Sequence, residues 1–484
     1  MNYKTMGRIL SQILILEAIF MIPSLCFALY DGTFVTAVAF GVTIAGTLLA
    51  AGVLYLLCRK AENALRAGEG MICVSLSWVF MSLIGALPFV ISGEIPHFID
   101  AFFEMVSGFT TTGASVVADV EVLSRAVLYW RSFSHWLGGM GVLVFLLAIA
   151  PSAEKNGGFT MHLLRAESPG PNVSKLVPRM KQTAVILYLL YIVLTVVDFL
   201  FLIAGRMPVF EAICTAFGTA GTGGFGIKAD SLASHTPYIQ NVTTVFMLLF
   251  GVNFSCYHLL LLKQFKSVFK NEELRLYVGI VAGSIALIVW NLRGVYGTIG
   301  ETLRHAAFQV ASIITTTGFA TTDFNLWPEF SKAILLCLMV IGACAGSTGG
   351  GMKCARVLLL VKTLRRNIRL TLRPQRVEVI RSDGQAVDER VITSTGMYLA
   401  AYVMIVFLSF LLLSLDKFSF TTNFSAVFAC FNNIGPGLDA VGPIANYGGY
   451  SVLSKLVLIT DMLAGRLEIF PILALLSRST WKHA

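Results

Sequence analysis

The sequence predicts an all-α membrane protein with two leading helices and four helix–pore-loop–helix repeats around one pseudo-four-fold pore. Apolar residues make up 56% of the 484 residues and charged residues only 13%, whereas soluble domains have about 25% charged residues. Uncharged runs at 32–58, 71–93, 238–262 and 391–415 each exceed the ~20 residues that span a bilayer as a helix. A short half-apolar stretch that ends in a glycine turn occurs four times.

Residues 1–66 are predicted to form the two leading transmembrane helices, at 9–30 and 33–58. A cleaved signal peptide has a similar start, because Lys4 and Arg8 precede the first apolar run. That run is long, contains Glu17 and leads into a second span. We therefore expect it to remain as a helix.

Four repeats of similar length are expected to follow the leading helices. Each repeat has two spans, which brings the total to ten transmembrane helices, and a shorter stretch between them of the length typical of re-entrant helices. The short stretches lie near 99–111, 208–219, 302–316 and 421–433. The repeats occupy 67–155, 176–270, 271–375 with an intramembrane Gly-rich loop at 342–352, and 391–484.

Basic residues predict the orientation of these spans. Of the 36 Lys and Arg residues, 26 lie in the segments on one face of the ten-span arrangement, and ten of these fall within 353–390. The positive-inside rule makes that face cytoplasmic and places both termini there. The segment 353–390 has two interpretations: a topological signal in contact with anionic lipid, or a docking surface for a regulatory partner.

Several classes of function are not supported by the residues. The net charge of +9 is spread over short loops, so we expect no nucleic-acid partner. None of the nine cysteines forms a C-x-x-C pair, which argues against a disulfide framework or a zinc site. The histidines have no ligand spacing, and no nucleophile lies near a base, so no catalysis is expected.

Two glycine motifs are similar to nucleotide-binding sequences but lack their context. The segment 221–226 matches G-x-G-x-x-G but follows no strand. The segment 346–353 is similar to a P-loop, but Met352 stands where the lysine is required. We therefore expect that this chain binds no nucleotide.

The four glycine turns have the composition of a cation filter. Backbone carbonyls can replace the water shell of potassium, and glycine allows the positive φ that turns them inward. The preceding helices would direct their partly negative C-terminal ends at the pore. Small residues are also common at helix contacts in membranes, but four turns at the same offset favour a filter.

Two features suggest gating. Five glycines within 342–351 should break the eighth span, either for close helix packing or to form a mobile loop beneath the filter. Arg466 lies within the last span, where a charge is costly; it either pairs with Asp461 or Glu468 or restrains cation leak in the pore. The candidate gating residues are Gly346, Ser347, Thr348, Gly349, Gly350, Gly351 and Arg466.

The turns, the Gly-rich segment 342–353, and the segments 432–438 and 461–468 together resemble the Trk/Ktr/HKT superfamily of potassium transporters. The nearest likeness is the bacterial TrkH-type pore subunit. The resemblance implies location in the bacterial inner membrane, a homodimer with one pore per protomer, and a cytosolic nucleotide-binding TrkA-type regulatory ring. By register, the K⁺ filter positions are Thr111, Thr112, Gly113, Thr219, Ala220, Gly221, Thr316, Thr317, Gly318, Asn433, Ile434 and Gly435.

The register of the second turn stays open, since Gly223 and Gly224 offer a competing alignment, and the fourth turn lacks threonine. The resulting hypothesis is channel-like potassium uptake down the electrochemical gradient. The alternative is a secondary transporter that symports potassium with H⁺ or Na⁺. Inverted repeats and buried acids are typical of such transporters, and the parallel repeats predicted here favour the channel.

Overall fold

The computed structural model describes residues 2–59, 67–141, 180–375 and 377–477. Apart from short 3₁₀ turns and one hairpin, Arg381–Ser382 with Gln385–Ala386, the regular structure of these residues is α-helical. The predicted end of the first repeat and most of the basic residues of the connection after it lie outside the described ranges.

The helices follow the predicted order. The two leading spans comprise α1 (Tyr3–Phe20), α2 (Ile22–Tyr30) and α3 (Phe34–Cys58). The remaining helices are α4 (Ala67–Ser92), α5 (Phe98–Phe109), α6 (Arg125–Gly139), α7 (Met180–Ala204), α8 (Val209–Gly221), α9 (Pro237–Phe250), α10 (Phe254–Leu261), α11 (Phe265–Lys270), α12 (Glu272–Asn291), α13 (Ile299–Ile314), α14 (Glu329–Ile341), α15 (Cys354–Leu372), α16 (Glu389–Leu413), α17 (Phe420–Phe431), α18 (Val452–Arg466) and α19 (Phe470–Leu476).

Fewer than ten helices of the described ranges are long and apolar enough to cross a membrane. Six satisfy this test: Tyr3–Tyr30, Phe34–Cys58, Gly68–Ser92, Ala184–Ala204, Glu272–Asn291 and Glu389–Leu413. A seventh would be the pair α9 and α10, which is bent by 88°. Two further predicted spans are interrupted: α14 ends before the Gly-rich segment, and α18 ends at Arg466. The predicted span at 127–151 lies partly outside the described ranges.

The four short helices α5, α8, α13 and α17 lie in the interior of the molecule. Long apolar helices form its periphery. In α5, every residue from Ala101 to Phe109 is buried. By contrast, α16 exposes a series of large apolar side chains: Met404, Phe407, Leu408 and Leu411. Apolar side chains on the outside and short helices inside are the arrangement that a lipid solvent requires, because non-helical backbone must be shielded from lipid.

A buried ion pair joins α5 to α6. Arg131 Nε donates to Glu104 Oε1 over 2.8 Å, and the two side chains are 1% and 0% exposed. Glu104 also accepts hydrogen bonds from the Ser115 hydroxyl at 2.9 Å and the Val116 N–H at 3.0 Å. The pair therefore fixes the chain that leaves the first glycine turn.

Replacing Arg131 with leucine should destabilise the protein strongly, because the buried Glu104 carboxylate loses its charged partner. We expect Arg131→Leu to lower the free energy of unfolding by about 3–5 kcal/mol. Arg125→Leu is the matched control on the same helix: Arg125 is 45% exposed in its pair with Asp31, and such pairs contribute about 0–1 kcal/mol. Thermal unfolding in detergent compares the two; equal destabilisation would contradict the prediction.

Candidate functional site

The four short helices α5, α8, α13 and α17 end in the same way. Each is followed by a non-glycine residue with positive φ: Thr111 at 55°, Thr222 at 55°, Thr316 at 59° and Asn433 at 55°. The next N–H donates to the carbonyl five residues earlier, over 2.9, 2.9, 2.8 and 2.8 Å in chain order. This is a helix C-terminal motif that usually has glycine at the left-handed position.

A glycine with positive φ lies two residues after each left-handed residue. These four are Gly113 at 79°, Gly224 at 74°, Gly318 at 86° and Gly435 at 95°. We call them the ring glycines, and the four turns, 110–113, 221–224, 315–318 and 432–435, the first to fourth loops.

In the second loop, the backbone conformation of the other three loops is found three residues after Thr219, Ala220 and Gly221, at the alternative register that includes Gly223 and Gly224. Thr219, Ala220 and Gly221 belong to α8, and the Thr219 hydroxyl donates to the Thr215 carbonyl one turn earlier, at 2.9 Å. The residues that superpose in backbone conformation on the other three loops are Thr222, Gly223 and Gly224. The apolar-x-x-x-Gly pattern pointed to Gly221 because the short stretch was expected to end near residue 219. The helix α8 instead continues to Gly221.

The four loops close into a ring by contact between each ring glycine and the next loop. A Cβ placed on Gly113 would lie 2.0 Å from the Gly223 carbonyl oxygen, and one on Gly224 would lie 2.0 Å from that of Thr317. A Cβ on Gly318 would lie 2.1 Å from the Ile434 oxygen, and one on Gly435 would lie 2.6 Å from the Thr112 oxygen. Only glycine fits at these positions, and the contacts return to the first loop.

Side chains support the loops in three different ways. In the first and third loops, hydroxyl pairs brace the turn: Thr110 with Thr112, and Thr315 with Thr317, both at 2.8 Å. In the fourth loop, Asn433 Nδ2 donates to the Thr112 hydroxyl at 3.0 Å, which links the last loop to the first.

The second loop has glycine at both positions where the first and third loops have paired threonines. Its support comes instead from His135 of α6, which is fully buried. His135 Nδ1 lies 2.7 Å from the Gly108 carbonyl oxygen, and its Nε2 accepts the Phe225 N–H at 3.2 Å. No ligand spacing marked this histidine in the sequence.

A cavity lies on one side of the ring. Its volume is about 130 Å³, and its lining includes all four ring glycines together with Arg131 and Lys228.

The Gly-rich segment lies against the opposite side of the ring. The helix is broken between Ile341 and Cys354, as the glycine content predicted. Gly350 N–H donates to the Thr316 hydroxyl at 2.6 Å. A Cβ on Gly349 would lie 2.8 Å from the Thr315 carbonyl oxygen. The segment thus touches the third loop directly.

Three more gating candidates, Gly346, Ser347 and Gly351, form contacts that hold the segment in its conformation. The Gly346 carbonyl accepts the Phe254 N–H at 3.0 Å, and the Ser347 hydroxyl donates to the Cys344 carbonyl at 2.7 Å. Gly351 packs on Gly342: a Cβ there would lie 2.8 Å from the Gly342 Cα.

Glu273 of α12 holds both ends of the Gly-rich segment. Its Oε1 accepts the Ala345 N–H at 2.5 Å and the Ala355 N–H at 3.1 Å. The side chain is buried. An acid at the start of α12 gave no reason in the sequence to connect it with residues 72 and 82 positions away.

Arg466 joins three parts of the chain. Its guanidinium donates to the carbonyls of Gly138 and Gly139 at the end of α6 and, at 2.9 Å, to that of Thr348 in the Gly-rich segment. The two acids considered as partners have other contacts: Glu468 binds Arg356, and Asp461 accepts from Ser409 at 2.7 Å. The guanidinium thus lies between the Gly-rich segment and the first repeat.

Oxygen atoms of the loops are the candidates for binding a cation. Within the described ranges, no group of three or more His, Cys, Asp or Glu residues is placed to hold a metal ion. The loops offer carbonyl and hydroxyl oxygens, which suit a weakly and transiently bound alkali ion.

The apolar periphery and the buried short helices define a polytopic helical membrane protein. The chain belongs to the TrkH family of cation transport proteins, whose model matches residues 37–281 and 296–481. It is 35% identical to a Trk system potassium uptake protein, TrkH, of Salmonella typhimurium and 36% identical to that of Escherichia coli K12, over the full length of both chains in each case. This membership confirms the family predicted from the motifs and that the chain is not an enzyme.

A solved structure supports the same assignment. The crystal structure of the potassium transporter TrkH from Vibrio parahaemolyticus matches with a TM-score of 0.88 and 32% identity, over 99% of this chain and 100% of that one.

The register of the second loop can be tested by adding one methyl group. Gly224→Ala should lower the free energy of unfolding by at least ~1–2 kcal/mol, because alanine is strained at positive φ and meets the Thr317 oxygen. Gly226→Ala is the nearby control, since a Cβ there has 3.4 Å to its nearest neighbour. Thermal unfolding in detergent measures both, and a tolerated Gly224→Ala would refute the assignment.

Proposed function

We propose that the chain takes up potassium across the bacterial inner membrane through the ring formed by the four loops. The observation that carries this proposal is the closed cycle of contacts from Gly113 through Gly224, Gly318 and Gly435 back to the first loop. A single narrow passage surrounded by four equivalent turns is suited to one dehydrated ion at a time. The potassium transporters among its relatives support the choice of ion.

The filter would use oxygens from all four loops, in a register chosen by their shared backbone conformation. Carbonyl dipoles at the C-terminal ends of α5, α8, α13 and α17 add negative potential near the passage. The proposed filter residues are Thr111, Thr112, Gly113, Thr222, Gly223, Gly224, Thr316, Thr317, Gly318, Asn433, Ile434 and Gly435.

The Gly-rich segment would act as the gate on the cytoplasmic side. Its contacts with Thr315 and Thr316 support a position across the inner end of the proposed path, and Glu273 would serve as the anchor about which it moves. Arg466 would hold it closed through the Thr348 carbonyl.

The regulatory partner would act on α15, which continues directly from the Gly-rich segment. Basic residues of α15 and the following hairpin connect it to neighbouring helices: Lys362 binds Glu272, and Arg366 binds Glu389. We propose that a cytosolic nucleotide-binding ring of the TrkA type docks on this surface. The homodimer and the cytoplasmic position of both termini stay predictions from the family resemblance and the charge pattern.

Symport is the second candidate because several buried carboxyl groups lie within helices, and three of them form no ion pair within the described residues. Glu17, Asp198 and Asp461 are each 0–1% exposed, and buried acids are typical of proton relays. None of these three carboxyl groups belongs to the four loops, so the proposed channel assigns them no role.

Ion flux in liposomes distinguishes the two candidates. If the path is a channel, ⁸⁶Rb⁺ should accumulate in potassium-loaded liposomes without any proton or sodium gradient. The amount of ⁸⁶Rb⁺ taken up should depend on the membrane potential. Liposomes without protein provide the control. Uptake that occurs only with an imposed proton or sodium gradient would replace the channel by the symporter, and absence of Rb⁺ flux under either condition would refute potassium transport.

Removing the Arg466 side chain should increase basal flux. In Arg466→Ala, the Thr348 carbonyl loses its charged donor and the path loses a fixed positive charge, so we expect ⁸⁶Rb⁺ uptake without the regulatory partner to rise at least about threefold. The exposed Arg293 supplies the control Arg293→Ala. Unchanged or reduced uptake by well-folded Arg466→Ala protein would refute the gating role.

A further inference from the structure

We propose that His135 is a positioning residue that sets the ion selectivity of the second loop, replacing the threonine brace that this loop lacks. The proposal rests on the function proposed above and assigns one side chain of α6 to the filter. It concerns how the ring keeps four loops with different sequences in one backbone conformation.

The aligned register shows what the second loop lacks. Gly221 corresponds to Thr110 and Thr315, and Gly223 corresponds to Thr112 and Thr317, the residues whose hydroxyl groups pair at 2.8 Å in the first and third loops. With two glycines at these positions, the second loop has no side chains of its own to make that brace. Its non-glycine residue, Thr222, also has a positive φ of 55°, a conformation that needs external support.

The imidazole of His135 fills the space that a side chain at Gly223 would take. A Cβ on Gly223 would lie 2.2 Å from His135 Cγ, 2.3 Å from Nδ1 and 2.5 Å from Cδ2. All three of these closest atoms belong to the ring of His135. The imidazole therefore excludes a larger residue at 223.

Both ring nitrogens of His135 are used, which fixes the tautomer. Nε2 accepts the Phe225 N–H at 3.2 Å, so the proton is on Nδ1, which donates to the Gly108 carbonyl at 2.7 Å. The neutral ring thus links α5, which precedes the first loop, to the residue directly after the ring glycine Gly224. It also packs against the Phe225 ring, with centroids 4.3 Å apart and an interplanar angle of 32°.

The Phe225 ring extends this support to the buried ion pair. The Arg131 guanidinium lies 4.1 Å from its centroid, on the same helix as His135. Two side chains of α6 therefore hold the backbone that follows the ring glycine. A displacement of this backbone would move the Gly223 carbonyl oxygen, which lies against Gly113 of the first loop, and so alter the width of the ring.

Two substitutions separate the two hydrogen bonds. Asparagine places a polar atom near the position of Nδ1, and glutamine places one near Nε2. His135→Gln keeps an acceptor for the Phe225 N–H and should retain most of the K⁺/Na⁺ selectivity. His135→Asn loses that acceptor and should lower the selectivity ratio by about fivefold, the effect expected from one hydrogen bond. The exposed His97 supplies the control His97→Asn.

The measurement is the ratio of ⁸⁶Rb⁺ to ²²Na⁺ uptake in liposomes that contain equal amounts of folded protein. A role in stability alone would lower the two uptakes together and leave their ratio unchanged. A ratio for His135→Asn that stays within twofold of the parent would overturn the proposal, while a selective parent protein would still support the proposed function.

A suppression experiment covers the case in which these variants do not fold. Gly223→Ser alone should abolish folded protein, because its Cβ meets the imidazole. Combined with His135→Ala, the serine has room and can offer a hydroxyl where the first loop has Thr112. The double variant should regain folding and part of the selectivity. If it is no better than Gly223→Ser alone, His135 does not occupy the place of the brace and the proposal fails.

Discussion

The structure depends on the close approach of each ring glycine to a carbonyl oxygen of the next loop. At 2.0–2.6 Å from a built Cβ, no other residue fits, and the non-helical backbone of all four loops must be enclosed because lipid cannot satisfy its polar groups. The short helices are buried for this reason, and the long apolar helices surround them. The Glu104–Arg131 pair and the Gly-rich segment support the same ring from its two sides.

Periodicity and residue type predicted much of this arrangement. The four short helices lie within a few residues of their expected positions, and the helix break at the Gly-rich segment follows from glycine content. The second-loop register stayed open in the sequence, because glycines at 221, 223 and 224 lie close together and only the end of α8 distinguishes their backbone conformations. His135 and Glu273 could not be found, because their partners are distant in the chain and their residue types carry no local pattern.

The four loops reach one backbone conformation by unequal means. Paired hydroxyls act in the first and third loops, an imidazole from a neighbouring helix acts in the second, and Asn433 links the fourth loop to Thr112. The internal repetition is therefore kept in the main chain and lost in the side chains. A substitution that has a small effect on stability in one loop need not have a small effect in another, because each loop is supported by different neighbouring residues.

The carbonyl contacts of Arg466 have a consequence for the wetting of the inner path. Its guanidinium binds oxygens of both α6 and the Gly-rich segment, and a charged donor cannot be left without acceptors in a narrow space. If the Gly-rich segment moves as proposed above, Arg466 Nη1 loses the Thr348 oxygen as an acceptor, and a water molecule would take its place. Movement of the segment would then be coupled to the entry of water beside Arg466.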